Sequence, residues 1–252
     1  MPEREAQRGI YRYRLLWRYK IPLSICLLVG LGVWAYLYHS EVNTQSWINS
    51  LHDENSDKRS SAAQKLAHFG YRGIDPLIQA LQDTDAPVRA RAALSLGEIT
   101  RTIRETESAL SRVVEALIVA LHDNSAFVRA NAAESLGTTG SQQATEPLIE
   151  ALADNDIHVR VAAANSLIAT PSPHAVSALI EAAKSGKEED PARALVKIGA
   201  PAVDGILDYL RSEAVTGKPN WRLIKILGEI KDPRSVELLI GNCSPLITVE
   251  RG

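Results

Sequence analysis

A segment that recurs along the chain constrains its fold more than any other feature. The stretch LQDTDAPVRARAALSLG, from Leu81 to Gly97, returns as LHDNSAFVRANAAESLG from Leu121 and as LADNDIHVRVAAANSLI from Leu152. An earlier copy begins at Leu51. The copies, including two weaker ones, end at Ala67, Gly97, Gly137, Ile168, Gly199 and Gly228. A period of about 30 residues is typical of a solenoid built from helix pairs.

Each copy predicts two helices joined by a short turn. Pro76 and Pro147 suit the first turn of the first helix, and N-capping residues precede each second helix at Asn55, Asp85, Ser125 and Asp156. Glycine, as at Gly97 and Gly137, is predicted to end the second helix. Paired alanines let neighbouring helices approach closely, and the following leucines, such as Leu96, face inward. With aromatic residues at only 5%, the sequence predicts an all-α solenoid of about six units.

The N-terminal region differs from the rest. Residues 1–20 carry six Lys and Arg residues, and residues 21–38 carry no charge. Eighteen helical residues span about 27 Å, close to the roughly 30 Å of a bilayer core. We therefore expect a basic cytoplasmic tail at 1–20, a transmembrane helix at 21–38 and an exported solenoid at 39–252, because basic residues stay on the cytoplasmic side. A cleaved signal peptide, which would leave the body secreted, is the alternative.

The remaining composition narrows the class of function. The body after residue 20 is acidic, which argues against a nucleic-acid partner. Cys26 and Cys243 form no cluster, and the six histidines show no pairing at metal-ligand spacing. The sequence also contains no glycine-rich phosphate loop and no nucleophile motif. We therefore expect no catalytic residue, no metal and no cofactor, and interpret the protein as a non-enzyme.

An aspartate and an arginine six residues apart recur in four copies. These pairs are Asp53 and Arg59, Asp83 and Arg89, Asp123 and Arg129, and Asp154 and Arg160. An active site needs one such pair, whereas the same pair in every unit favours a structural role. We interpret the eight residues as a ladder that ties the turns within and between units.

Exposed positions of the second helices differ from unit to unit. We predict that a binding surface on the concave side contains Arg91, Glu98, Asn131, Glu134, Asn165, Arg193, Arg222 and Lys225. The strip becomes basic toward its C-terminal end, which suits an acidic partner surface; an ordinary solvated face is the alternative. The longest interval between copies contains an insertion at 101–112, which either lengthens the helices or forms a binding arm.

The units DTDAPVRARAALSLGEI and DNSAFVRANAAESLGTTG resemble HEAT repeats, and in particular the short subclass named after phycobilisome lyases. The resemblance covers roughly residues 45 to 240. It implies the fold but leaves the function open, because the subclass includes bilin lyases, hydroxylases, scaffolds and regulatory subunits. The His-Glu dipeptides of the hydroxylases do not occur here. We expect a scaffold that binds a protein at or in the membrane and helps assemble, stabilise or regulate a membrane-associated complex; a bilin lyase or lyase-like chaperone subunit is the alternative.

Overall fold

A computed structural model describes residues 41–101, 107–184, 189–214 and 220–235. The chain divides into two compact units, residues 1–46 and 47–252. Residues 41–50 are helical, and the helices that follow are α1 (Ser56–Leu66), α2 (Ile74–Ala80), α3 (Ala86–Thr100), α4 (Glu107–Ala120), α5 (Ala126–Thr139), α6 (Thr145–Ala151), α7 (Ile157–Ser166), α8 (Pro173–Lys184), α9 (Asp190–Ile198), α10 (Ala200–Ala214) and α11 (Trp221–Ile230). Short 3-10 segments occur at Ala67–Gly73, Gln142–Ala144 and Leu167–Ala169. The described residues contain no strand.

The helices form a repeated two-layer stack in the second unit. Each odd-numbered helix contacts the next odd-numbered one, from α1 to α11, and even-numbered helices contact each other, as α2 does α4 and α8 does α10. The odd-numbered helices are the predicted second helices of the repeats, and the even-numbered ones are the first helices. The prediction of an all-α solenoid is confirmed.

The core lies between the two layers. The predicted inward leucines Leu66, Leu96, Leu136 and Leu167 are fully buried, as are the alanine pairs Ala62 and Ala63, Ala92 and Ala93, Ala132 and Ala133, and Ala163 and Ala164. Each buried leucine contributes roughly 1.5–3 kcal/mol relative to an exposed one. A unit cannot bury this stripe alone, so the stability of each unit depends on its neighbours.

The starts of the second helices agree with the sequence, but only one of the predicted glycine ends does: Gly199 directly follows α9, whereas Gly228 lies inside α11. Helices α1, α3, α5 and α7 follow directly after Asn55, Asp85, Ser125 and Asp156, as predicted. Gly97 and Gly137, however, lie inside α3 and α5, so the prediction that they end their helices is wrong.

Close packing of adjacent odd-numbered helices explains these internal glycines. A Cβ on Gly97 would lie 2.6 Å from Ser135 Oγ, and one on Gly137 would lie 2.5 Å from Ser166 Oγ. The hydroxyl of Ser166 donates to the Ala133 carbonyl across this contact at 2.8 Å. The glycines therefore make room for the neighbouring helix.

The predicted localisation is corrected. Among the described residues, no helix combines the length and the apolar character needed to cross a membrane. The longest, α3 and α10, have 15 residues each, which is about 22 Å against the roughly 30 Å required. A single-pass membrane protein with an exported body is therefore not retained. The predicted tail at 1–20, the predicted span at 21–38 and the alternative of signal cleavage lie outside the described residues.

The insertion at 101–112 falls partly within the described chain. Helix α4 has 14 residues, whereas α2 and α6 have seven each, so the insertion lengthens the first helix of its unit. Arg112 on α4 forms an ion pair with Asp75 on α2. Residues 102–106 lie outside the described ranges, and the binding arm stays a prediction.

Candidate functional site

Three of the four ladder arginines form charge pairs with the following unit. Bidentate contacts join Arg59 to Asp83, Arg89 to Asp123 and Arg129 to Asp154, with N···O distances of 2.7 to 2.9 Å. A planar guanidinium matches a carboxylate well in this geometry, which makes such pairs stronger than single hydrogen bonds. The side chains are largely shielded from solvent; those of Arg89 and Asp123, for example, are only 11% and 12% exposed.

The same arginines also hold the turn of their own unit. Arg129 Nη1 donates to the carbonyls of Asp123 and Asn124 at 3.0 and 3.4 Å. Arg160 contacts the carbonyls of Asp154 and Asn155 in the same way, at 2.7 and 2.9 Å. The six-residue spacing thus places the guanidinium against its own turn, and the charge pair reaches the next one.

The carboxylates of Asp83, Asp123 and Asp154 stay ionised because hydrogen bonds from arginines and backbone N–H groups outweigh their partial burial. Burial alone raises the pKa of Asp83 and Asp123, but hydrogen bonds from an arginine and a backbone N–H bring each pKa below its usual value. For Asp154 the hydrogen bond from Arg129 is the largest effect and lowers the pKa. The hydrogen bond to Asp154 in turn raises the pKa of Arg129. This arrangement uses the charges to join neighbouring units.

The eight predicted binding residues all lie on odd-numbered helices, from α3 to α11. We call the surface that they form the odd-helix face. Most of them are exposed or half-buried: Arg91, Glu98, Glu134, Asn165, Arg193, Arg222 and Lys225. Asn131 differs, since it is only 8% exposed. Two grooves on this face bring six of the eight residues together. Arg91 and Glu98 line neither of the two grooves.

The first groove, of about 750 Å³, lies between α5 and α7. Asn131 and Glu134 line it from α5, and Val161 and Asn165 line it from α7. Phe127 borders the groove and is 60% exposed. The groove therefore combines apolar walls with a few polar groups, a composition common in binding sites.

The second groove, of about 430 Å³, lies between α9 and α11 and contains the C-terminal cations of the predicted strip. The guanidinium of Arg222 lies 5.1 Å from the centre of the Trp221 ring, which suits a cation–π contact. Arg193 pairs with Glu189 at 3.2 Å, and Lys225 lies 3.7 Å from Glu229. The groove thus carries both signs of charge rather than a purely basic surface.

Several residues of interest were missed in the sequence. Trp221 is 64% exposed at the start of α11, and a large apolar residue just after an N-cap could have signalled it. Arg234 contacts both carboxylate oxygens of Asp204 at 2.8 Å and also pairs with Asp232. It joins two elements as the ladder does, but it falls outside the six-residue spacing.

Within the described ranges, no group of three or more His, Cys, Asp or Glu side chains could hold a metal ion.

Comparison with known proteins places these observations in a family. A family model for HEAT repeats matches residues 44–118 and 114–198. No curated protein sequence matches the chain. Among solved structures, the chain is similar to an engineered protein (21% identity, TM-score 0.49, covering 75% of this chain and 96% of that one).

Two natural structures are also similar. One is the complex of CpcE and CpcF of phycocyanin lyase from Nostoc sp. PCC7120, at 28% identity and a TM-score of 0.44, covering 66% of this chain and 68% of that one. The other is human deoxyhypusine hydroxylase in complex with glycerol, at 17% identity and a TM-score of 0.45, covering 85% and 93% of the two chains.

Proposed function

Since the chain belongs to the HEAT-repeat family, we propose that it is a protein-interaction scaffold that binds a partner protein through the odd-helix face. The observation that carries the proposal is the contrast between the two sides of the odd-numbered helices. Their inward positions repeat as alanine and leucine in successive units, whereas their outward positions change in size and charge and line two grooves. Packing explains the first set, and recognition of a specific surface explains the second.

The exposed aromatic residues support this proposal. Phe127 borders the first groove and Trp221 the second, and each exposes more than half of its surface. Exposed aromatic side chains in grooves are typical of the few residues that supply most of the binding energy at protein interfaces. Both are placed to be covered when a partner docks.

The charges of the second groove specify the partner further. Arg222 stacks on Trp221 and contacts the Lys184 carbonyl at 3.5 Å, and no carboxylate pairs with it in the described part of the chain. Its charge is therefore available to an acidic group of the partner. Arg193 and Lys225 already have acidic neighbours, so a fitting surface presents basic groups beside its acidic ones.

Capture of the partner by surface variants tests the proposal. The tagged 252-residue chain is used to capture proteins from its source cells, and the wild type is compared with Arg193→Glu/Arg222→Glu. We expect unchanged helical circular dichroism and at least about tenfold less captured partner, because the available positive charge of Arg222 becomes negative and Arg193→Glu adds a further negative charge to the groove. The matched control is Arg72→Glu/Arg211→Glu, which makes the same charge change at two exposed positions, on the 3-10 segment Ala67–Gly73 and on α10, and should capture normally. Equal capture by the two double variants would contradict the proposal.

The proposed mechanism is docking without chemical turnover. A bilin mixed with the purified chain should therefore keep its absorbance spectrum. A shifted spectrum that persists after denaturation would show a covalent adduct and favour a lyase-type role instead.

A further inference from the structure

A third groove, of about 760 Å³, lies between α8 and α10 in the layer of even-numbered helices. One stripe of each helix lines it, at positions three or four residues apart, which share a side of the helix. Gly205 lies in the middle of the α10 stripe, and a Cβ there would lie 2.8 Å from Val176 Cγ1 of α8. The two helices therefore meet at the floor of the groove, and the exposed side chains of both stripes border the space above it.

The charged side chains that line this groove are all acidic. Glu181 lies on α8, and Asp204 and Asp208 lie on α10. Their side chains are 63%, 69% and 74% exposed, so a ligand in the groove reaches the carboxylates. The grooves of the odd-helix face, in contrast, each carry both signs of charge. The third groove therefore favours a cation.

Each of the three carboxylates also has an ion pair with a cation that does not line the groove. The pairs have N···O distances of 2.8 to 2.9 Å and join Glu181 to Lys184, Asp204 to Arg234 and Asp208 to Arg211. Such exposed pairs contribute little to stability, and a carboxylate accepts up to about four hydrogen bonds. The carboxylates thus keep the capacity to bind a further cation inside the groove.

Exposed apolar surface lies beside these carboxylates. Pro173 and Pro201, at the starts of α8 and α10, are exposed and line the groove, and Tyr209 is half-buried there. Covering a proline costs no side-chain entropy. The lining therefore suits a cation that has an apolar neighbour, and the aliphatic stem of a lysine or arginine covers apolar surface as well.

We propose that a basic segment of a partner protein docks in this groove, with a lysine or arginine pairing with Glu181 and Asp208 and a neighbouring apolar side chain packing on Pro173 and Pro201. The inference goes beyond the proposed scaffold function, because it adds a second docking surface, in the other layer of helices and with the opposite preference for charge.

The probe is a displayed library of random peptides of about ten residues. The library is depleted on the folded Glu181→Gln/Asp208→Asn chain and then selected on the full-length wild type. We expect the enriched peptides to contain lysine or arginine next to an apolar residue. By fluorescence anisotropy they should bind Glu181→Gln/Asp208→Asn about tenfold more weakly than the wild type, and added salt should weaken binding to the wild type.

Ser177 provides a test that removes no ion pair. It is exposed and uncharged in the middle of the α8 stripe. Ser177→Lys should weaken the peptides and Ser177→Glu should strengthen them, because the two variants change the charge of the groove in opposite directions. Both should keep the helical circular dichroism of the wild type. The same affinity for the two folded variants would overturn the inference.

Glu115→Gln/Glu150→Gln is the matched control, because it neutralises two exposed carboxylates of α4 and α6 that do not line the groove. It should change the affinity less than about twofold. Failure to enrich basic peptides, or equal loss of binding in the control and in Glu181→Gln/Asp208→Asn, would contradict the proposal. Self-association of the chain that Glu181→Gln/Asp208→Asn abolishes would assign the groove to a second copy and also contradict it. These outcomes are distinguishable from failure of the scaffold proposal, since Arg193 and Arg222 do not line this groove.

Discussion

Two glycines inside odd-numbered helices should respond in opposite directions to the same substitution. In Gly137→Ala, the new Cβ would lie 2.5 Å from Ser166 Oγ, 2.7 Å from its Cβ and 2.9 Å from its Cα. The last contact is with backbone, which a change of rotamer cannot relieve. Helix α7 must therefore move away from α5, and the hydrogen bond from Ser166 to the Ala133 carbonyl is loosened. Gly228 in α11, by contrast, has no atom within 4 Å of an added Cβ.

The magnitudes follow from two opposing effects. Alanine stabilises a helix interior by about 1 kcal/mol relative to glycine, and this gain applies at both positions. Overpacking at Gly137 costs roughly 1–3 kcal/mol, and the weakened hydrogen bond costs about 1 kcal/mol more. We therefore expect Gly137→Ala to lower the free energy of unfolding by about 1–3 kcal/mol, and Gly228→Ala to raise it by up to about 1 kcal/mol.

Urea denaturation followed by far-ultraviolet circular dichroism measures both variants against the wild type. In a thermal melt of the same variants, each kcal/mol corresponds to a shift of roughly 2–4 °C in Tm for a chain of this size. Gly137→Ala as stable as Gly228→Ala would refute the reasoning, because it would mean that α5 and α7 do not approach as closely as described.

Two further predictions concern the ladder. Arg129→Ala should lower the stability by about 2 kcal/mol, because Asp154 loses a shielded bidentate partner, whereas Arg193→Ala, whose side chain is 63% exposed, should change it by less than about 0.5 kcal/mol; thermal melts of both variants check this. The pKa values of Asp83, Asp123 and Asp154 lie below 3.8 in the fold, so their stabilisation should be complete above this pH and be lost progressively as the pH falls below it. Urea midpoints measured from about pH 6 to about pH 3 should therefore fall most steeply at the acidic end, and a flat profile would contradict the ladder.

The repeated architecture could be predicted from the sequence because its determinants are local. N-cap residues and the spacing of alanine and leucine act within one helix, and they recur in every unit. The role of Gly97 could not be predicted in this way, since it depends on Ser135 in the next unit. Glycine both ends helices and permits close contacts, and only the position of the neighbour decides between the two.

The candidate site was predictable in position but not in chemistry. The helical period placed Arg193 and Lys225 on the exposed face, yet their charge balance depends on Glu189 and Glu229, each four residues away. These two acidic neighbours could have been predicted from the sequence, because residues four apart on a helix are neighbours. The burial of Asn131 could not be predicted from the sequence, since it depends on how α5 packs against neighbouring helices. The membrane prediction rested on the basic residues of 1–20 and the uncharged run at 21–38, and no helix of the described ranges supports it.

Site-specific photo-crosslinking tests the scaffold function most directly. A photoreactive side chain is placed at Glu134, on the odd-helix face, and in a separate variant at Glu115, which is exposed on α4. The captured partner should crosslink from position 134 and not from position 115, because only the first lies in a proposed docking groove. Crosslinking of the same partner from position 115 alone would contradict docking on the odd-helix face.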